Sequence, residues 1–232
     1  MNAKKFFFYL LAVLLGGCVP VLSLHPLFNE KDVVFDEKLL GTWVENPNTT
    51  WEFSRTEEPK NAYKLIYTHQ EKEDAKEKAK GSFIVHLVKL KDKLFLDVHL
   101  GESPFDMIEK QHRTAVPGEV KDPNRFDSWL YNTLLLIPAH TFIKVDSIDP
   151  NLTMRLTDDE KMKKLLEQDP NAVKHTLLED KPVLTASTNE LQAFVLKYAD
   201  DSRLFTDAMV LGRKKAGAPN VPAGPKPGKS PK

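Results

Sequence analysis

The sequence predicts a mainly β (α+β) domain, an antiparallel meander curled into a barrel or half-barrel of about eight or nine strands with two late helices docked on it. Three observations lead there. Apolar and polar side chains alternate with period two through most of the stretch from Gly41 to Leu100 and again from His140 to Thr157, the mark of strands with one buried face. Turn residues separate most consecutive runs, so neighbours in sequence pair antiparallel. Helical periodicity is confined to two short stretches after Thr157.

The runs 41–46 and 50–55 flank the turn cluster Asn46-Pro47-Asn48-Thr49 and read as a hairpin in which Val44 faces Trp51 and Thr42 faces Phe53. A third strand, 62–69, precedes the charge run Glu71 to Lys78, which reads as a solvated loop or helical excursion. The clearest hairpin joins 81–90 to 93–100 across Lys91-Asp92. Val85 then meets Val98 and Leu87 meets Leu96 on one face, while His86 meets Asp97 and Ile84 meets His99 on the other. A slip of one residue would break the apolar match. The stretch 102–131, with Pro104, Pro117, Gly118 and Pro123, reads as a long loop, a kind of segment that is usually functional or mobile.

Strands 140–148 and 151–157 join across Asp149-Pro150. Thr157-Asp158-Asp159-Glu160 opens the first helix, whose apolar side is Met162, Leu165 and Leu166 and whose end is Asp169-Pro170. The second helix begins at Thr185 to Thr188, carries Glu190 early, and sets Leu191, Phe194, Val195 and Tyr198 on one face. A last strand, 208–213, returns to the sheet.

Before the domain, Lys4 and Lys5 precede the apolar run Phe6 to Leu15, which leads into Leu15-Gly16-Gly17-Cys18. The run is about half of the ~20 residues a spanning helix needs, and its order of parts is that of an export signal. A plainly secreted product wants a small-residue pair before the cut, whereas here the small pair leads straight into cysteine. The segment resembles the lipobox of bacterial lipoproteins. That resemblance implies a signal peptide over 1–17, cleavage between Gly17 and Cys18, a diacylglycerol thioether on Cys18, and acylation of the freed amine by a fatty acid such as palmitate. The protein is then anchored to the cell membrane through its N-terminal lipid. Val19 stands where an aspartate would resemble an inner-membrane retention signal, so the outer membrane is favoured in a host with two. Residues 18–29, with Pro20 and Pro26, read as a lipidated tether, 30–215 as one domain, and 216–232 as a disordered Pro/Lys/Gly tail.

Loss of Lys4 and Lys5 leaves the mature chain with a slight acidic excess, which gives no footing for nucleic acid. Cys18 is the single cysteine, so its lipidation leaves no thiol for a disulfide. Gly41-Thr42-Trp43 resembles the Gly-x-Trp opening of lipocalins, and the resemblance implies a barrel whose Trp43 closes one end against a basic side chain, with Arg213 as the candidate. Two helices before the last strand depart from the single helix usual in that family.

His86, Asp97 and His99 share one face of the hairpin, a set that could ligate zinc with an open position or act as an acid–base pair. The same spacing also arises in an ordinary cross-strand contact. His140 and, in the long loop, His112 are the next candidates. Trp43, Trp51, Phe53, Tyr63, Tyr67, Phe83, Phe95 and Trp129 read as core packing. No nucleophile elbow, phosphate loop or zinc-protease helix occurs, so the expectation is a non-enzyme without cofactor. The leading functional reading is an envelope lipoprotein that binds an apolar or amphipathic molecule, or a partner protein. A structural or assembly lipoprotein with a filled core and a metal-dependent hydrolase using His86, Asp97 and His99 are the alternatives.

Overall fold

The computed structural model describes residues 20–70, 79–101 and 138–214. Cys18 and the signal segment, the charge run, His112, Trp129 and the tail 216–232 lie outside the described residues. The strands are β1 (Leu22–Ser23), β2 (Val33–Val34), β3 (Gly41–Asn46), β4 (Thr49–Arg55), β5 (Ala62–His69), β6 (Ala79–Leu90), β7 (Lys93–Leu100), β8 (His140–Ser147), β9 (Leu152–Leu156), β10 (His175–Leu178), β11 (Lys181–Leu184) and β12 (Met209–Arg213). The α-helices among the described residues are α1 (Asp159–Gln168) and α2 (Thr188–Lys197).

Strands β3 to β9 pair each with the next, and β12 enters between β9 and β3. This closes an eight-stranded antiparallel barrel and leaves it no free edge. Trp43, Trp51, Phe53, Tyr63, Leu65, Leu87 and Leu96 point inward and fill much of the interior. The first hairpin departs from the expected register. Asn46 faces Thr49, but a bulge at Glu45 slips the pairing, so that Val44 faces Thr50, Trp43 faces Trp51 and Gly41 faces Phe53. The extra residue brings Trp43 into phase with Trp51 and Phe53, and all three are buried inside. The β6–β7 hairpin has the expected register throughout, including His86 opposite Asp97 and Ile84 opposite His99.

Trp43 sits at one end of the barrel, fully buried, and its indole Nε1 donates to the Leu39 carbonyl at 2.9 Å. The Arg213 guanidinium lies 4.1 Å from the Trp43 ring centre and donates to the carbonyls of Leu40, at 2.8 Å, and Lys38. Arg213 is thus the basic side chain against Trp43. Gly41 allows this approach, because its φ is +116° and a Cβ there would stand 3.0 Å from the guanidinium.

A second core lies outside the barrel. Along β6, β7 and β8 the outward residues Val88, Leu90, Phe95 and Phe142 are also apolar, and they are covered by Met162 and Leu165 of α1 and Leu191, Phe194 and Val195 of α2. Asp158 caps α1, its carboxylate accepting from the Lys161 N–H at 2.8 Å. At α2 the Glu190 carboxylate accepts from the N–H and hydroxyl of Ser187 at 2.8 and 2.7 Å. Lys144 on β8, 3.1 Å from Asp200, and Lys93 on β7, 2.8 Å from it, hold the chain after α2 against the wall.

The segment expected to be a tether is part of this outer layer from Val21 onward. Leu22 pairs in parallel with Val183, Ser23 pairs antiparallel with His140, and Val21 and Leu27 are buried. Its apolar residues outweigh the two prolines that suggested a linker. The hairpin β10–β11 was not expected either. Its turn places Glu179 and Asp180 at φ 48° and 67°, a conformation usually marked by Asn or Gly.

Replacing Trp43 with alanine is expected to cost about 3–5 kcal/mol of stability in urea unfolding, since a fully buried indole leaves a cavity that its neighbours only partly fill. A near-neutral result would mean that this end of the barrel does not rest on Trp43.

Candidate functional site

The wall formed by β6, β7 and β8 carries a feature on each face. On the outer face His86 comes from β6, Asp97 and His99 from β7 and His140 from β8. The first three share a face as the hairpin register requires. The pairing His99↔His140 adds the fourth, which brings His140 into the same cluster. The cluster is neither on the solvent side nor in an inner polar cavity. It lies beneath the strap of residues 20–29, with Phe28 against His86 at 4.2 Å between ring centres.

Asp97 is fully buried and both its oxygens are committed. Oδ1 is 2.6 Å from Nδ1 of His140, and Oδ2 accepts from the Leu27 N–H at 2.7 Å. This bond explains how a carboxylate is accommodated at the edge of the outer core. The imidazoles form a row, with ring centres 5.7 Å apart for His86 and His99 and 5.1 Å for His99 and His140. His86 is 6% exposed and its Nδ1 has no hydrogen-bond partner. Burial, reinforced by the neighbouring imidazoles, pushes His86 down from 6.5 to about 4. His99 is lowered by the same causes. These groups favour the neutral state when the strap is closed over them.

Among the described residues no set of three or more His, Cys, Asp or Glu side chains has the spacing to hold a metal ion. The geometry gives the reason at this cluster, where the one carboxylate already serves an imidazole and a backbone amide. The chemistry it supports is proton-dependent contact between strap and wall.

The inner face carries a small recess of about 60 Å³ whose exposed surface is apolar, lined by Trp51, Tyr67, Phe83, Val98, Ile143 and Leu156 among others. Pro20 of the strap also borders it. Thr141 and Thr157 belong to the same wall, and each has a buried Oγ1 without a hydrogen-bond partner. Of the aromatic residues expected to be core, Trp51, Tyr67 and Phe83 therefore both pack the barrel and line the recess, while Phe95 belongs to the outer core. The recess has no contiguous signature in the sequence, because its lining comes from six barrel strands and the strap.

Replacing Asp97 with alanine is expected to cost at least ~1–3 kcal/mol, because the Leu27 N–H loses its acceptor in a buried setting; Asp97→Asn, which keeps a carbonyl oxygen, should cost less. Denaturant midpoints at pH 7.5 measure both, and equal stability of Asp97→Ala and the wild type would contradict this role. Comparison with protein-family models, with curated proteins and with solved structures finds no match to this chain.

Proposed function

We propose that the chain is a lipid-anchored envelope protein whose barrel takes the end of an apolar chain, carried by an amphipathic molecule, at the membrane face. The observation that carries this reading is the apolar recess in a barrel that is otherwise well packed, bordered by Pro20, two residues beyond Cys18. Two residues of chain span at most ~7 Å, so a membrane anchor at Cys18 keeps this part of the barrel close to the lipid surface. No helix among the described residues is long and apolar enough to cross a membrane. Attachment therefore rests, in this proposal, on the acyl groups at Cys18. Several acyl chains hold far more firmly than one, at roughly 0.8 kcal/mol per buried methylene.

The volume limits the ligand. At about 60 Å³ the recess holds a chain end or one small apolar group and not a whole acyl chain. Thr141 and Thr157 supply hydroxyls without protein partners beside it, which suits a ligand that is polar at one point. The structural or assembly role draws its support from the inner core, where Trp43, Phe53 and Tyr63 are buried in one cluster. The recess would then receive an apolar side chain of an envelope partner.

Two experiments test the proposal. Cys18→Ser should abolish incorporation of labelled fatty acid and leave the protein unprocessed or released; continued labelling with membrane partition would defeat the anchor. A fluorescent fatty acid should bind the unacylated domain, and Val98→Trp, which fills the recess, should weaken binding at least ~10-fold, about 1.4 kcal/mol. Leu156→Phe provides a milder filling should the first variant fold poorly. Absence of wild-type binding, or equal affinity in a folded filled variant, would reject the binding role.

A further inference from the structure

We propose that the imidazole row beside Asp97 is an acid-sensitive latch: protonation of His86 and His99 weakens the hold of Asp97 on the Leu27 amide and loosens the strap where Leu27 and Phe28 cover the barrel wall. This goes beyond the ligand reading and does not depend on it.

The geometry supplies the parts. Three imidazoles stand in a row at 5.7 and 5.1 Å with one carboxylate among them. That carboxylate is shared between His140 and the strap, through the Leu27 N–H at 2.7 Å. One imidazolium beside Asp97 would be compensated. A second proton on the row adds a like charge at ring-contact distance, and for His86, closed from water beneath Phe28, the one carboxylate in reach is already engaged by His140 and Leu27. Relief comes from admitting water, and the strap is what excludes it.

The groups facing the row are few. From β6 there is His86 itself; from β7, Asp97 and His99; from β8, His140; from β5, Ala62, which pairs with His86, and beyond it the exposed Lys64. The strap contributes Phe28 and the Leu27 amide, and its far side is held by Gln192 of α2, which donates to the Leu27 carbonyl at 2.9 Å and to Asp32 at 2.8 Å. Thr188 of α2 donates to the Pro26 carbonyl at 2.9 Å. Of the titratable groups on the covering elements, Asp32 is engaged by Gln192 and Asn29 at the rim, Glu190 of α2 by Ser187 and Lys174, and His25 and Glu30 are exposed.

The sign follows from the neutral preference of the closed state. His86 is held near 4 when covered and returns toward 6.5 when the strap lifts, so the open form binds more protons. The closed strap is fully favoured above pH 6.5, and its advantage falls as pH drops from there toward 4. Lowering of His99 acts in the same direction.

Hydrogen exchange on the mature, membrane-extracted chain in detergent, corrected for intrinsic rates, tests the latch between pH 7.5 and 4.5. The expected result is a loss of protection at Leu27 and Phe28, relative to Val85 and Leu96 in the barrel, of at least about ten-fold. His86→Phe, which keeps a ring against Phe28 and removes the proton site, should flatten much of that dependence; His99→Gln should flatten part of it and gives a second folded test. An unchanged ratio between strap and barrel, a simultaneous loss of protection in both, or the same pH slope in both variants as in the wild type would overturn the proposal.

Discussion

The structure depends on a wall that is apolar on both faces. In most barrels of this size the outward positions are polar, but here Val88, Leu90, Phe95 and Phe142 face away from the barrel and are as buried as Leu87 and Leu96 within it. Left to solvent, each fully buried side chain of this kind would forgo roughly 1.5–3 kcal/mol. An outer layer must therefore cover β6, β7 and β8, and α1, α2, the β10–β11 hairpin and the strap supply it. The positions of these covering elements follow from that requirement.

The same wall explains why the Asp97 carboxylate and the His86 imidazole are found away from water, with His99 and His140 partly exposed beside them. Covering the apolar positions also covers the polar ones beside them on the same strands, and Asp97 is tolerated because a strap amide and His140 satisfy its oxygens. His86 receives no such partner at Nδ1. The inner face of these strands, through Phe83, Val98 and Ile143, shapes the recess. The proposed ligand contact and the proposed latch are therefore opposite sides of one surface, with Pro20 at the first and Leu27 at the second.

Much of this was legible in the sequence where local rules decide the answer. The β6–β7 register followed from matching Val85 with Val98 and Leu87 with Leu96, and the helix starts followed from Thr157-Asp158-Asp159-Glu160 and from Thr185 to Thr188, with the caps falling at Asp158 and Ser187. The β3–β4 register was not, because the bulge at Glu45 has no mark of its own and is selected by burial of Trp43 on the side of Trp51. His140 could not be placed in the cluster beforehand, since the long connection between β7 and β8 leaves their pairing free of any turn geometry. The strap was misread because Pro20 and Pro26 outshone Val21, Leu27 and Phe28. The two-faced wall was read as one-faced, because the period-two pattern dominated, although the contiguous apolar stretches of β6 and β7 are a pattern more typical of strands covered on both sides.

If the wall unites the inner and outer cores, barrel and outer layer must unfold as one unit. Phe95 is fully buried in the outer core, opposite the side that holds Trp43 and Trp51. In a Trp129→Phe background, urea unfolding of Phe95→Ala followed by tryptophan fluorescence and by the helical circular dichroism signal tests this most directly. The account predicts coincident transitions for both signals, shifted together to lower urea by about 3–5 kcal/mol of lost stability. Loss of the helical signal well before any change in fluorescence would contradict it, because the outer layer would then be an appendage and the barrel would stand without it.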